Sequence, residues 1–492
     1  MNNENFEAKT FVSNIKTSAI KSVKWTALGE IASRSIQPIV TLVLARLLTP
    51  SDFGLVGVAM IAISLAQILQ DFGLGKTLIQ CETEVEKSAN IIFWTNITLA
   101  IFIYFTIFVN APFISGFFHE PNVTSVLRVL CLQIVLISFI SVHQALFQRK
   151  FQFKQIFFVR LFSAIVPGII SIPLALYGYG VWSLVFGTIA GAFTQVVLFW
   201  IISSWRPQLS YDFQLAKQLF GFSIWVTLEA FLGWIIACGD SIILGHFLGI
   251  KDLGVYRVGV TFITLIFATF FNPLVPVTYS AFSRLQANKE ETRQTFLKIT
   301  KLIASISLPI GIALAILSPS ISSIIFGQRW ERIEIVIATI GIMHGIAWLV
   351  GINPEVYRAS GRPDINSKLH IIQLCWYIPV YIFSAPYGLL VFCIGRLGVA
   401  IISMFLHMHF SQKLLNIGWI QFLKNINPIL ISALVSVVSI FFIKRMYSFA
   451  NPFWDLFING TTFILIYLSM IYLKDREFIY NSFRLFRLSV GK

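Results

Sequence analysis

One segment of this 492-residue chain reads IIFWTNITLAIFIYFTIFV, from Ile91 to Val109, and contains no charged residue. An α-helix needs about 20 consecutive, mostly apolar residues to cross the hydrocarbon core of a bilayer. Comparable runs recur along the chain, for example from Val181 to Ile202 and from Leu302 to Ser318. Each of these segments therefore predicts a transmembrane helix.

The overall composition agrees with this interpretation. Hydrophobic residues make up 57% of the chain, charged residues only 12%, and the mean hydropathy is +0.79. Soluble domains carry roughly 25% charged residues, so this chain lacks the polar surface that a soluble fold requires. Apolar runs between polar breaks indicate about fourteen spans and no inserted soluble domain. We predict an all-α polytopic membrane protein.

The chain has a net charge of +15. The positions of its Lys and Arg residues indicate which loops face the cytoplasm. Lys and Arg concentrate in the loops on the cytoplasmic side of membrane proteins. Here the basic residues lie in the N-terminal arm 1–24, in one set of alternate loops and in the tail 474–492, whereas most of the opposite loops contain few. We therefore expect both termini to be cytoplasmic, no signal peptide in the arm, and no nucleic-acid partner. Four residues are exceptions to this bias: Arg329, Arg332, Lys444 and Arg445.

An internal repeat is visible at an offset of 200 residues. The segment Leu44–Gly54, LARLLTPSDFG, aligns with Leu244–Gly254, LGHFLGIKDLG, and this offset carries the first predicted span onto the seventh. A shift of six spans preserves orientation, which is typical of parallel repeats in transporters. We predict two six-helix lobes around a central cavity, residues 25–205 and 216–411, and two further helices within 427–473.

Polar residues form stripes inside four predicted spans. Polar groups are costly in hydrocarbon, so such stripes are expected to face a cavity or a partner. They lie on predicted spans 1 (25–48), 2 (55–75), 7 (216–245) and 8 (253–282). These are the repeat-related pairs, and this favours a hydrated cavity between the lobes. The stripes comprise Glu30, Arg34, Gln37 and Thr41; Ser64, Gln67 and Asp71; Glu229 and Asp240; and Thr261, Thr264 and Asn272.

Several of these residues also have a purely structural interpretation. Glu30 and Arg34, four residues apart, could simply pair with each other. Glu229 could line the cavity or be packed inside the protein. Arg396, followed by Ser403 and His407 on the same helical face, could line the cavity or face predicted span 11 (368–385).

Two sequence patterns could suggest a cofactor or metal site, but each lacks residues that such a site requires. Gly75-Lys76-Thr77 resembles the end of a phosphate-binding loop, but Gln70 occupies the position of its first glycine, and a membrane helix precedes it rather than a strand. The five cysteines are scattered and form no metal-ligand set. We predict no metal and no cofactor, so transport would depend on an ion gradient or on substrate supply.

A family resemblance adds to these observations. Several segments resemble the Wzx-type polysaccharide flippases, in the branch that exports colanic acid and lipopolysaccharide, of the multidrug/oligosaccharidyl-lipid/polysaccharide exporter superfamily. The resemblance covers about residues 20–410, and the segments that carry it are WTALG from Trp25, LARLLTPSDFG from Leu44, DFGLG from Asp71, LIQ from Leu78, QRKF from Gln148, YGYG from Tyr177, VPVTYSAFSRLQ from Val275, FGQRW from Phe326 and ASGRP from Ala359. The chain departs from the family at Tyr279-Ser280, where Phe-Pro is common.

The resemblance implies a V-shaped cavity, alternating access and a polyprenyl-pyrophosphate-linked oligosaccharide as substrate. It also implies the bacterial inner membrane, contact with membrane lipids, and a polysaccharide polymerase and export machinery as partners. A buried arginine can bind pyrophosphate with two parallel hydrogen bonds, and we expect Arg34 first and Arg396 second in this role. Trp225 could stack on a sugar ring or pack in the core. The other candidates are Gln37, Gln67 and Thr264 for lining the cavity, and Glu229 and Asp240 for ion coupling.

Two alternatives remain open from the sequence. An ion-coupled small-molecule exporter of the same superfamily would share the fold. A membrane glycosyltransferase or polymerase would use paired carboxylates on the external face, but the carboxylates in these short loops, such as Glu120 and Asp252, are scattered. We predict that the chain is not an enzyme.

Overall fold

A computed structural model of the chain describes residues 36–71, 74–80, 84–210, 212–286, 288–447 and 451–480. These residues contain no β-strand, in agreement with the predicted all-α class. The helices are α1 (Ile36–Leu47), α2 (Pro50–Asp71), α3 (Leu74–Gln80), α4 (Val85–Phe117), α5 (Asn122–Leu130), α6 (Leu132–Arg149), α7 (Phe153–Leu176), α8 (Val181–Ile202), α9 (Phe213–Phe271), α10 (Leu274–Leu285), α11 (Lys289–Ile321), α12 (Ile333–Ala347), α13 (Asn353–Ala359), α14 (Asp364–Ser384), α15 (Leu389–Leu415), α16 (Trp419–Met446) and α17 (Pro452–Lys474).

Within these ranges, 12 helices are long and apolar enough to cross a membrane, so the chain is a multi-pass membrane protein. The difference from the predicted fourteen arises in two places. Predicted span 1 is described only as the short helix Ile36–Leu47, and one 42-residue candidate, Ala230–Phe271, overlaps both predicted spans 7 and 8. The count of about fourteen stays a prediction.

The helix breaks follow the internal repeat. α1 ends at Leu47 and α2 begins at Pro50, so the chain leaves the helix at Thr49. Exactly 200 residues later, Gly249 interrupts α9 with φ 81° and ψ 179°, a conformation that glycine adopts readily because it lacks a Cβ. The helix is interrupted again at Pro273, since α9 ends at Phe271 and α10 begins at Leu274.

Contacts between residues divide the chain into two compact units, Met1–Gly254 and Val255–Lys492, and the division falls inside α9. In the first unit, α7 and α8 approach closely at a glycine. A Cβ on Gly187 would lie 1.9 Å from Ser171 Oγ, and the Ser171 hydroxyl donates to the Ser183 carbonyl at 2.8 Å. Small residues allow such close packing of membrane helices.

The second unit is built around α11. Its neighbour α12 comes so close that a Cβ on Gly311 would lie 2.6 Å from the Gly341 carbonyl oxygen. The two C-terminal helices are joined to α11 by hydrogen bonds as well as by apolar packing. Tyr467 Oη of α17 donates to the Ser305 carbonyl at 2.8 Å, and Asn425 Nδ2 of α16 donates to the Leu297 carbonyl at 2.8 Å.

Candidate functional site

The structure describes some of the predicted site residues and not others. Arg34, like Glu30, lies outside the described residues. Trp225 and Glu229 belong to α9, in a part of that helix where only the backbone is described. The roles proposed for these residues therefore stay predictions.

Two glutamines of the predicted lining lie on the first two helices. Gln37 on α1 is exposed, and its backbone carbonyl accepts a hydrogen bond from the Thr41 hydroxyl at 2.9 Å. Gln67 on α2 is half-buried, one turn after Ser64. Both residues therefore remain at least partly exposed at the surface of the first unit.

The polar stripe of α2 meets α9 through one hydrogen bond. Trp234 Nε1 donates to Ser64 Oγ at 2.9 Å, and Ser64 in turn donates to the Ile61 carbonyl at 2.8 Å. The Phe231 ring is stacked on Trp234, with centroids 6.1 Å apart. The sequence pattern indicates Ser64 but not Trp234, since nothing in the spacing distinguishes this tryptophan from a packing residue.

Of the two predicted ion-coupling carboxylates on α9, Asp240 is the one whose side chain is described. Its side chain is buried, with 5% relative exposure, and Oδ1 accepts a hydrogen bond from the Ser241 backbone N–H at 2.5 Å. A buried carboxylate in a membrane helix is a candidate for ion binding, because it is retained there only with compensating interactions. Thr264, 24 residues later on the same helix, is exposed.

In the second unit, Arg396 lies over an aromatic ring. Its guanidinium carbon is 5.4 Å from the centroid of Tyr256, which is within the range of a cation–π interaction. Tyr256 is buried and packs edge-to-face on Phe392, with centroids 5.6 Å apart. Arg396 as a whole residue is half-buried.

The residues that follow Arg396 on the same face of α15 contact α14, which is predicted span 11. Ser403 Oγ lies 3.1 Å from Tyr377 Oη, and His407 Nε2 lies 3.3 Å from Gln373 Nε2. The alternative that sequence analysis left open is thereby answered for these two residues, which face α14. Arg396 instead contacts the ring of Tyr256 on α9.

A buried polar cluster continues this line of residues to the end of α15. Asn353 Nδ2 donates to Ser411 Oγ at 2.7 Å, and Tyr357 Oη donates to the His407 carbonyl at 2.9 Å. The Tyr357 and His407 rings are parallel, with centroids 6.2 Å apart. Sequence analysis missed Asn353, Tyr357 and Ser411, because they belong to two helices that only the tertiary fold brings together.

Among the residues that the structure describes, no group of three or more His, Cys, Asp or Glu side chains is arranged to hold a metal ion.

The chain belongs to the family described as "Polysaccharide biosynthesis protein", which it matches over residues 43–335. Among characterised relatives, it is 23% identical to the teichuronic acid biosynthesis protein TuaB of Bacillus subtilis, over 72% of this chain and 73% of that one. It is also 23% identical to the lipopolysaccharide biosynthesis protein WzxC of Escherichia coli, over 86% and 89% of the two chains.

A solved structure shares the fold. The lipid II flippase MurJ, in an inward closed conformation, superposes with a TM-score of 0.73 and covers 92% of this chain and 100% of its own, at 15% sequence identity. At this identity the similarity shows the fold alone. The chain therefore has the architecture of that transporter.

Proposed function

We propose that this protein is a flippase, which moves polyprenyl-pyrophosphate-linked oligosaccharide repeat units from the cytoplasmic to the periplasmic leaflet for surface polysaccharide biosynthesis. The observation that supports this most is the combination of membership in the polysaccharide biosynthesis family with the fold of a lipid II flippase along nearly the whole chain. The protein would act as a transporter and make or break no covalent bond.

The substrate would bind in a cavity between two six-helix lobes, residues 25–205 and 216–411, which open alternately to the two sides. Arg34 and Arg396 would hold the pyrophosphate, because arginine forms paired hydrogen bonds to phosphate oxygens. For Arg396 the support is its partial exposure beside the Tyr256 ring. The sugar-facing candidates are Gln37, Gln67, Thr264 and Trp225, and the candidates for ion coupling are Glu229 and Asp240.

The location follows from the same proposal. The protein would lie in the bacterial inner membrane with both termini in the cytoplasm, in agreement with the positive-inside distribution of Lys and Arg. A polysaccharide polymerase and the export machinery would then receive the flipped repeat unit on the periplasmic side.

The decisive experiment is reconstitution of the purified chain into liposomes that carry a polyprenyl-pyrophosphate oligosaccharide. A membrane-impermeant oxidant of sugars should modify about half of the glycan in protein-free liposomes and nearly all of it in liposomes with the protein. Liposomes containing heat-inactivated protein are the control.

The two alternatives predict different results in the same assay. A small-molecule exporter would leave half of the glycan protected and would instead release a preloaded dye. A glycosyltransferase or polymerase would change the length of the glycan, which mass spectrometry of the recovered lipid would detect.

A further inference from the structure

A small cavity in the first unit lies where three candidate membrane spans begin or end. α6 ends at Arg149, α7 begins at Phe153 and α8 ends at Ile202, so the cavity is at the membrane–water boundary. Its volume is about 130 Å³. The polar side chains that line it are His143, Lys150, Gln152, Gln155, Ser203 and Ser204.

His143 is the most unusual of these residues. Its side chain is fully buried, and neither ring nitrogen has a hydrogen-bond partner among the described residues. The ring is held by edge contacts with Trp200 and Trp205, at centroid distances of 5.2 and 5.3 Å. A buried polar group without a partner is unfavourable unless a water or a ligand satisfies it, and here the cavity is where that partner would lie.

The electrostatic character of the cavity favours an anion. Lys150 contributes a positive charge, and no carboxylate is among the described residues that line the cavity. Arg206 adds a second cation nearby. Its guanidinium stacks on Trp200 at 5.6 Å, and it donates to the Ser203 carbonyl at 2.6 Å, which holds the lining segment 203–205 at the end of α8.

The volume of the cavity limits the size of the anionic group that it can enclose. About 130 Å³ corresponds to roughly four water molecules at about 30 Å³ each. A phosphate group fits this volume, and the remainder of a larger ligand would lie outside the cavity. Next to the opening, Ile201 and Ile202 are exposed at 71% and 41%, and they provide an apolar surface along which an acyl chain can lie. Basic pockets between membrane helices on the cytoplasmic side are known to hold lipid phosphates.

We propose that this cavity binds a phosphate group, with Lys150 supplying the charge and His143 a hydrogen bond from its floor. The phosphate would belong to an anionic phospholipid headgroup or be free in solution. None of the residues of this site is among the candidates for binding the transported substrate, so the proposal is independent of which glycan is transported.

The test uses the purified full-length chain and native mass spectrometry. Dioleoylphosphatidylglycerol should remain bound, whereas dioleoylglycerol, which has the same chains without the phosphate, should not. Lys150→Ala should weaken phosphatidylglycerol binding about tenfold, the effect of losing one charge-assisted hydrogen bond. Lys154→Ala is the matched control, because Lys154 is also exposed but does not line the cavity.

The His143→Phe variant distinguishes a loss of ligand binding from a loss of folding stability. Phenylalanine keeps the ring volume between the two tryptophans and removes a buried polar group without a partner, so the ligand-free protein should melt no lower than the wild type. Phosphatidylglycerol binding should nevertheless weaken about tenfold.

Titration with inorganic phosphate and with glycerol 3-phosphate identifies the source of the phosphate. If either binds at millimolar concentration with the same dependence on Lys150 and His143, the ligand is a free phosphate; if only the lipid binds, it is a headgroup. Equal binding of every ligand by wild type, Lys150→Ala and His143→Phe would overturn the proposal.

Discussion

Gly54 and Gly254, which are related by the 200-residue repeat, make reciprocal close contacts with each other's segments. A Cβ on Gly54 would lie 2.0 Å from the carbonyl oxygen of Ile250, and a Cβ on Gly254 would lie 1.8 Å from the carbonyl oxygen of Pro50. Ile250 and Pro50 are themselves separated by 200 residues. The two repeat-related segments, 50–54 and 250–254, therefore cross with local two-fold pseudo-symmetry. At each crossing point the close approach requires a residue without a side chain.

Gly54→Ala and Gly254→Ala should each destabilise the protein. The added methyl groups would meet backbone atoms, which cannot move aside as a flexible side chain can, and overpacking of this kind typically costs about 1–3 kcal/mol. Thermal unfolding in detergent would measure the loss. Gly116→Ala is the control, because nothing lies within 4 Å of a Cβ at that position; equal melting temperatures for all three variants would contradict the close crossing.

The Ser64–Trp234 hydrogen bond should couple α2 to α9 energetically. Ser64→Ala and Trp234→Phe should each lower stability by about 1 kcal/mol, the usual net contribution of one hydrogen bond. The double variant should lose less than the sum of the two single variants, since both remove the same bond. Thr98→Val provides a comparison, because the Thr98 hydroxyl donates only to the Trp94 carbonyl within its own helix. Strict additivity of the Ser64 and Trp234 effects would argue against the contact.

Arg34 should be essential for transport if it binds the pyrophosphate. Arg34→Ala should abolish glycan export at normal levels of inserted protein, and Arg34→Lys should restore it only in part, since an ammonium group keeps the charge but loses the planar fork. The measurement is surface polysaccharide per unit of membrane-inserted protein.

A structural Glu30–Arg34 pair predicts a different pattern. Glu30→Gln would then be as harmful as Arg34→Ala, and both variants would reduce the amount of protein. Full export by Arg34→Ala at normal protein levels would remove Arg34 from the mechanism.

Arg396 should contribute to transport through its charge and Tyr256 through the position of that charge. Arg396→Ala should reduce flipping in liposomes at least about tenfold, which corresponds to one charge-assisted contact with phosphate. Tyr256→Leu should have a smaller effect, because the guanidinium keeps its charge but loses the ring beneath it. Lys413→Ala, at an exposed cation in the last turn of the same helix, should transport normally. Wild-type flipping by Arg396→Ala would exclude this arginine from substrate binding.

The orientation can be measured with reporter fusions placed in turns that the structure locates between helices. Glu120 lies between α4 and α5, and Gln286 follows α10. A fusion after Glu120 should report the periplasm and one after Gln286 the cytoplasm, because Lys and Arg cluster around the second position. The reverse result would overturn the proposed cytoplasmic termini.

The sequence alone determines that this chain is a helical membrane protein. A run such as Ile91–Val109 has one stable outcome in lipid, because hydrocarbon offers no hydrogen bonds and the helix satisfies every backbone group internally. The repeat also follows from sequence, since Leu44–Gly54 and Leu244–Gly254 match in both residue type and spacing. Helix breaks at Thr49 and Gly249 then appear at equivalent positions.

Only the tertiary structure decides what each polar face contacts. Helical periodicity shows that Arg396, Ser403 and His407 share one face, but it carries no information on which neighbour that face meets. The fold turns Ser403 and His407 toward α14 and places Arg396 over Tyr256, 140 residues earlier in the chain. Contacts between residues so far apart in sequence depend on how the helices pack, and this packing is decided by the close fit of many side chains at once.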